Sequence, residues 1–458
     1  MNTRERVEEL ERELQVEELT VSAFGGTFQV YPWLKGRIFH KMITGHETLQ
    51  KRDLSLYLKQ LGSLFYGLHN LFRRYDIWAF SSSMERRLVD GKYHDKLFDH
   101  IGNSCGKRIL LIETRIFRFY PYRKIASRHA VSRSVFLLFE ELYGRLFLRK
   151  VKVNDPVLLD KINLKVEGGV DHRLLIRKYL SQYRIMKLVL RLLPNPKLVF
   201  VSVGYTHFGY IRAFREKGIP VVEMQHGIIS SNHHAYCYAK AFDALQFPNV
   251  ILTNGEREKE VFGHDNAFPV ERVIPVGSFI VDHYARRSFE HVREGIPRIL
   301  FTLQDGQMGL KLLQFIVDLK PQTRDKYELL VLPRRTTKEE YIQLLPEVEQ
   351  LTFSGSDFYT TVIRCDLHCT VYSTTAVESL SLGVPNILVN IDGQSKEQLS
   401  MILGANPYTK TIANTNEFAQ AAGELIGIPR EVVAESNGYC IYPRYDENIR
   451  NVIKELIP

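Results

Sequence analysis

The sequence predicts an α/β protein with two parallel sheets, and three observations predict it. Short apolar runs recur between longer amphipathic stretches, the alternation of strand and helix that builds a parallel sheet with helices on both faces. These runs fall in two series, one on either side of "VGSFIVDHYARRSFEHVREGIP" at 276–297. The chain of 458 residues also exceeds what one hydrophobic core commonly organises, so two or three domains are expected.

Residues 1–75 read as a mostly helical extension, with the charged "MNTRERVEELERELQVEEL" and the amphipathic "LSLYLKQLGSLFYGLHNLFRRY". Strand-like runs follow: "DIWAF" (76–80), "RILLIE" (108–113), "KLVFVSV" (197–203), "PVVEMQ" (220–225) and "NVILTN" (249–254). Helical segments such as "RLLIRKYLSQYRIMKLVLRLL" and "GYIRAFREKG" separate several of them. Gly218 and Pro220 mark a helix stop before a buried strand. The second series is "RILFTL" (298–303), "YELLVL" (327–332), "LHCTVYS" (367–373) and "PNILVN" (385–390). The expected division is an N-terminal domain over 1–280, a C-terminal domain over 281–440, and a closing helix in 441–458 able to pack back on the first domain. Ligands of open α/β sheets collect at the carboxyl ends of the strands. Two such sheets facing each other would form a cleft.

Apolar content of 45% and charged content of 25% are those of a soluble globular protein. No apolar run reaches the roughly 18 to 20 residues of a membrane span, and the first residues lack the apolar core of a signal peptide. Five cysteines without a CxxC pair fit a reducing compartment. A cytoplasmic protein is expected. The net charge of +9 is concentrated: residues 101–200 hold 21 Lys and Arg against 7 Asp and Glu. Such a basic region attracts anionic lipid head groups and phosphorylated or carboxylated substrates. Nucleic acid is not expected, because no binding motif for it is present. The stretch "SVFLLFEELYGRLFLRKVKV" (134–153) reads as a core-facing helix or as one lying on an anionic membrane. Nothing in the pattern fixes an oligomeric state.

The most informative segment is "CDLHCTVYSTTAVESLSLGVPNILVN" (365–390). A strand ends at Tyr372, and Ser373, Thr374 and Thr375 lead straight into a helix. Hydroxyls and free backbone N–H groups at such a start form an anion site. Glu378, one turn inside, is placed to accept bonds from sugar hydroxyls. The alternative is an ordinary N-cap with Glu378 completing a capping box. Upstream, Arg334 and Arg335 in "LLVLPRRTTKEEY" offer guanidinium groups suited to phosphate, or simply a solvated basic turn.

In the first half, "SVGYTHFGYIRAF" and "VVEMQHGIISSNHHAYCYAK" place Thr206, His207, Gln225 and His226 at neighbouring strand ends. An imidazole there titrates near neutral pH and can take a proton from an attacking hydroxyl. Gly227 would let the chain turn sharply and leave room for substrate. His233, His234 and Tyr236 line the acceptor side or form a polar surface loop. The spacing of His226, His233, His234 and Cys237 matches no zinc pattern. In "SSSMERRLVDGKY" (81–93), Ser81 to Ser83 and Arg86 are weaker contacts for acceptor or phosphate, and Glu256 and Glu258 read as solvated charges within reach of the cleft.

The stretch 365–390, taken with the strands before it, resembles the donor-nucleotide half of GT-B glycosyltransferases, particularly those that build bacterial capsules and surface polysaccharides. The resemblance spans about residues 197–395 and is similar to sialyltransferases and CDP-glycerol polyol-phosphate transferases. It implies two Rossmann-like domains facing across a cleft, with Ser373, Thr374 and Thr375 holding the donor phosphate. The loop "FTLQDGQ" would face the same phosphates through Gln304 and Gly306. His226 matches in position the histidine of an "HG" motif that acts as base on the acceptor. Leu332 stands where the sialyltransferase pattern has a histidine before Pro333, which argues against a CMP-linked donor. The implied activity moves a sugar or polyol phosphate from a nucleotide-activated donor to a surface glycan or lipid-linked acceptor, with inversion. The nucleotide-sugar is a co-substrate, no further cofactor is implied, and no DxD-type metal motif appears. A nucleotide-sugar 2-epimerase of the same fold and a non-catalytic glycan-assembly protein are the two alternatives.

Overall fold

A computed structural model describes residues 3–44, 61–89, 91–115, 120–166, 169–230, 233–263, 266–292 and 294–457. The chain divides into two compact units. The first holds Met1–Thr253, Arg257–Val276 and Asp446–Pro458, and the second holds Asn254–Glu256 and Gly277–Tyr445.

The first unit begins with a helix over Thr3–Glu13 and a hairpin of β1 (Thr20–Ala23) and β2 (Gly26–Gln29). The helical reading of 1–75 fails at this hairpin. "TVSAFGGTFQV" alternates its side chains, and Phe24 and Gly25 take positive φ of 57° and 78° to close a tight turn. A helix over Tyr31–Thr44 follows. The main sheet is built from β3 (Ile77–Ser82), β6 (Ile109–Thr114), β7 (Ala130–Ser132), β8 (Leu198–Val201), β9 (Val221–Met224), β10 (Val250–Thr253) and β11 (Arg272–Pro275). All pair in parallel, in the order β11-β10-β9-β8-β3-β6-β7. A small antiparallel pair, β4 (Arg86–Val89) and β5 (Lys92–Asp95), follows β3. Strands β3, β8 and β10 are continuously apolar at their centres and, with β9, are buried on both faces, as a helix-covered parallel sheet requires. The helix His172–Leu192 packs on Phe208–Arg215. A Cβ at Gly209 would stand 2.2 Å from the Tyr179 carbonyl, so this crossing needs glycine. The closing helix Tyr445–Leu456 is held to this unit: Ser104 donates to Asp446 at 2.7 Å, Arg450 donates to the Ser104 carbonyl at 3.0 Å, and Arg272 pairs with Glu455.

The second unit has a six-stranded parallel sheet: β12 (Arg298–Thr302), β13 (Glu328–Leu332), β14 (Thr352–Phe353), β15 (Leu367–Thr370), β16 (Asn386–Val389) and β17 (Thr409–Ile412), in the order β14-β13-β12-β15-β16-β17. Its core includes Ile299, Phe301, Leu312, Ile316, Leu367, Ile387 and Val389. Burying each such side chain contributes about 1.5–3 kcal/mol. Gly383, at φ 75°, ends the helix Thr375–Ser381, and the chain re-enters the sheet after Pro385. Within 276–297, the helix Phe279–Phe289 belongs to this unit. In the two main sheets, four short or weakly apolar strands, β7, β11, β14 and β17, escaped the sequence reading, as did the small pair β4 and β5. Among the described residues, no helix is long and apolar enough to cross a membrane.

Candidate active site

Chain order fixes where each sheet opens. In the first sheet the chain runs outward one way through β3, β6 and β7, then the other way through β8 to β11. The reversal lies between β3 and β8. In the second, β12 to β14 run one way and β15 to β17 the other, so the reversal lies between β12 and β15. Loops leaving the carboxyl ends of such neighbours diverge and leave a crevice.

At the second crevice the predicted donor residues come together. Gln304, just past β12, spans the switch point: its Nε2 donates to Thr370 Oγ1 and to the Tyr372 carbonyl, both at 2.9 Å. Its Oε1 is buried and has no hydrogen-bond partner among the described residues. Thr302 Oγ1 lies 3.2 Å from Thr375 Oγ1 and 2.9 Å from the ring of His368. Burial lowers the His368 pKa to about 4, so this ring is a neutral part of the scaffold. Gly306, at φ 67°, precedes the helix Gln307–Thr323, and no side chain caps that helix start. Its first N–H groups are therefore not occupied by a capping side chain. Arg334 and Arg335 are exposed and share one carboxylate oxygen of Asp305, at 3.7 and 3.5 Å. Two guanidinium groups against one carboxylate leave a net positive edge.

Ser373, Thr374 and Thr375 sit at the start of the helix Thr375–Ser381. The capping-box alternative is absent, because Thr374 makes no side-chain cap and Glu378 accepts instead from the Tyr359 hydroxyl at 2.9 Å. Ser373 accepts from the Thr375 N–H at 3.3 Å. Thr374 is exposed. Asp305, Thr302 and Thr370 complete this edge and were missed, although Asp305 lies within the flagged "LQDGQ".

The carboxyl end of the first sheet has a different character. His226 follows β9 and is partly accessible, while its Nδ1 is buried without a hydrogen-bond partner among the described residues. Burial lowers its pKa. The Glu85 carboxylate opposes this, Lys96 adds to it, and the Ser202 backbone opposes it. Burial therefore favours the neutral ring, part of which stays accessible. Tyr205, absent from the sequence-derived candidates, is the organising ring: its centroid lies 6.4 Å from His226, 5.8 Å from His233, 6.1 Å from His234 and 6.1 Å from Tyr236. An aromatic residue one place before Thr206, in a turn leaving a buried strand, was the available signal.

Several predicted acceptor residues prove to be framework. His207 is buried: its Nδ1 bonds the Val203 carbonyl at 2.9 Å, and Arg133 donates to its Nε2 at 3.3 Å. Thr206 donates to the same Val203 carbonyl at 2.9 Å. Tyr236 is fully buried and donates to Glu223 at 2.7 Å. Burial raises Glu223 to about 7, and the Gly204 N–H and the Tyr236 hydroxyl oppose that rise. Gln225 is buried and donates to the Gly227 carbonyl at 2.8 Å and to Glu258 at 3.2 Å. Glu258 is thus a buried anchor of the His226 loop rather than a solvated charge. Gly227 does not take a positive φ, and an added Cβ would meet nothing within 4 Å. The turn does not require glycine; what the missing side chain leaves is space beside His226.

His233 and His234 are half-buried and stacked on each other at 5.2 Å, and His234 also stacks on Phe39 at 4.8 Å. Burial lowers both to about 4. Among the described residues, no group of three or more His, Cys, Asp or Glu is arranged to hold a metal ion. Ser81, Ser83 and Arg86 are also interior: Ser81 donates to Asp95 at 2.5 Å, and Arg86 pairs with Glu113 at 2.5 Å and Asp99 at 3.5 Å.

No family profile and no curated protein sequence matches the chain. Solved structures do match. UDP-GlcNAc 2-epimerase from Neisseria meningitidis, bound to UDP-GlcNAc, is 14% identical over 83% of this chain and 98% of its own, with a TM-score of 0.50. The glycotransferase of kitacinnamycin is 10% identical over 84% of this chain and 100% of its own, also with a TM-score of 0.50. The fold is GT-B. Each GT-B unit is Rossmann-like, which accounts for the paired switch points described above.

Proposed function

We propose that this GT-B protein is a glycosyltransferase. It moves a sugar, or a sugar-like polyol phosphate, from a nucleotide-activated donor to a surface polysaccharide or lipid-linked glycan acceptor, in the cytoplasm. The observation that carries this reading is His226: a neutral imidazole at the carboxyl end of a parallel sheet, partly accessible and beside the space that Gly227 leaves. His226 takes the proton of the acceptor hydroxyl as that oxygen attacks the anomeric carbon of a sugar donor or the phosphorus of a polyol-phosphate donor. The new C–O or P–O bond forms as the bond to the nucleotide phosphate breaks, and the electron pair leaves with the nucleotide phosphate. Ser373, Thr374 and the uncapped N–H groups after Gly306 donate to that phosphate, and Arg334 and Arg335 offset its charge. Attack opposite the leaving group gives inversion. The donor needs no further cofactor, and the hydroxyl, amide and guanidinium donors serve where a metal otherwise would.

One observation favours the epimerase reading: the UDP-GlcNAc 2-epimerase from Neisseria meningitidis shares this fold over 83% of the chain. Incubating the protein with labelled nucleotide-sugars, with and without a glycan acceptor, separates the readings. Acceptor-dependent release of nucleotide supports transfer. Epimerised sugar appearing without acceptor refutes it.

A further inference from the structure

The helix Ser134–Phe147 carries two apolar stripes, and the first sheet's core uses only one. Phe136 and Gly144 face inward, and a Cβ at Gly144 would lie 2.8 Å from Ser181 Oγ. The second stripe, Phe139, Leu142 and Leu146 at spacings of three and four, points to solvent with 52%, 52% and 59% exposure, and Phe147 follows at 66%. The apolar surface continues onto the hairpin tip. Tyr143 lies 4.9 Å from Phe147 and 6.3 Å from Phe24, whose ring also stacks on Tyr183 at 5.9 Å. Phe24 is held at the tip by its positive φ. Single exposed apolar side chains are ordinary, but a contiguous set of this kind marks an interaction surface.

We propose that this face docks on an anionic lipid surface, an inference that goes beyond the transfer reaction and stands without it. The rim supplies the argument. Arg145, Arg149, Lys150 and Lys152 are exposed at and just beyond the helix end, and the Arg184 guanidinium lies 5.5 Å from the Phe24 ring centroid. Glu141 is the acidic residue on the exposed part of the helix, and Arg145 neutralises it at 2.6 Å. Aromatic and leucine side chains inserting at the head-group boundary, ringed by Lys and Arg, match the chemistry of an anionic bilayer. A second copy of the chain fits less well, because a two-fold contact would bring this basic rim against an identical basic surface.

The test is co-sedimentation of the full chain with phosphatidylcholine vesicles, with and without phosphatidylglycerol, and without nucleotide. The protein should pellet with the anionic vesicles, less so as salt rises. The triple variant Phe139→Ser, Leu142→Ser, Leu146→Ser should lose at least about tenfold in partition while its circular dichroism and melting are kept. Should that variant unfold, Arg149→Glu with Lys150→Glu gives the same reading from the exposed rim. Absence of binding by the wild type, or equal binding by folded variants, overturns the proposal. So does a wild-type dimer in light scattering that the triple variant dissolves without any effect of vesicles. Since no nucleotide is present, failure here leaves the transfer reading standing, and failure of transfer leaves this one.

Discussion

The two sheets end in opposite chemistry. The carboxyl edge of the first is a buried network of rings and carboxyls, in which desolvation keeps His226, His233 and His234 neutral and holds Glu223 near 7. The carboxyl edge of the second is donor-rich, with exposed Arg334, Arg335 and Thr374 beside an uncapped helix start. The difference teaches how one architecture divides labour. A base must be unprotonated and partly dry to accept a proton near neutral pH. An anion site must present positive charge and free N–H groups to a ligand arriving from water.

Breaking either half should have separable effects. The largest is expected for His226→Ala: transfer falls by about 10²–10⁴-fold, the usual weight of a general base, while donor affinity stays within error by calorimetry. Next comes Ser373→Ala with Thr374→Ala, which removes hydrogen bonds to a charged group and should weaken donor binding about tenfold or more. The same titration checks it.

A pH experiment probes the first edge. Burial holds the folded-state value of His226 below its unfolded value, so the acid limb of kcat/KM should lie below the ordinary histidine value of about 6.5. The linked stability effect has the same sign. The unfolded chain takes protons on His233 and His234 near pH 6.5, while the folded chain resists until about 4. Stability from this pair is full above about pH 6.5 and declines as pH falls toward 4. His233→Phe with His234→Phe should therefore show a smaller Tm loss between neutral and acid pH than the wild type. The smallest effect is expected for Glu378→Gln: its carboxylate is already engaged by Tyr359, so donor affinity should change by less than about threefold.

Much of the fold was legible because buried parallel strands are mainly apolar: β3, β8, β10, β12, β13 and β16 each carry an apolar run, and β9 and β15 are interrupted only by Glu223 and His368. The strands that were missed lie toward the edges. "RVIP" and "TKTI" are half-polar, and "TF" is too short to carry a pattern. The hairpin at 20–29 was hidden because its signal is a turn conformation at Phe24 and Gly25 rather than a helical or buried-strand period. At the site, strand-end positions such as His226 and Ser373 could be read from their neighbours. Whether a polar residue faces outward could not. His207, Tyr236 and Gln225 look like ligands in sequence, yet each meets a buried partner supplied by a distant segment or a turn of its own loop. Tyr205 went unnoticed for the opposite reason: only folding assembles the rings around it.

The most direct measurement is a thermal-shift panel of CMP-, UDP-, GDP- and CDP-linked donors on the wild type, His226→Ala and the Ser373→Ala, Thr374→Ala double variant. A bound donor at a hundredfold excess over Kd adds about 2.7 kcal/mol. One donor should raise the melting temperature of the wild type and of His226→Ala alike, and its stabilisation of the double variant should fall to about half or less. No shift with any donor, or a shift lost in His226→Ala and kept in the double variant, would contradict the account.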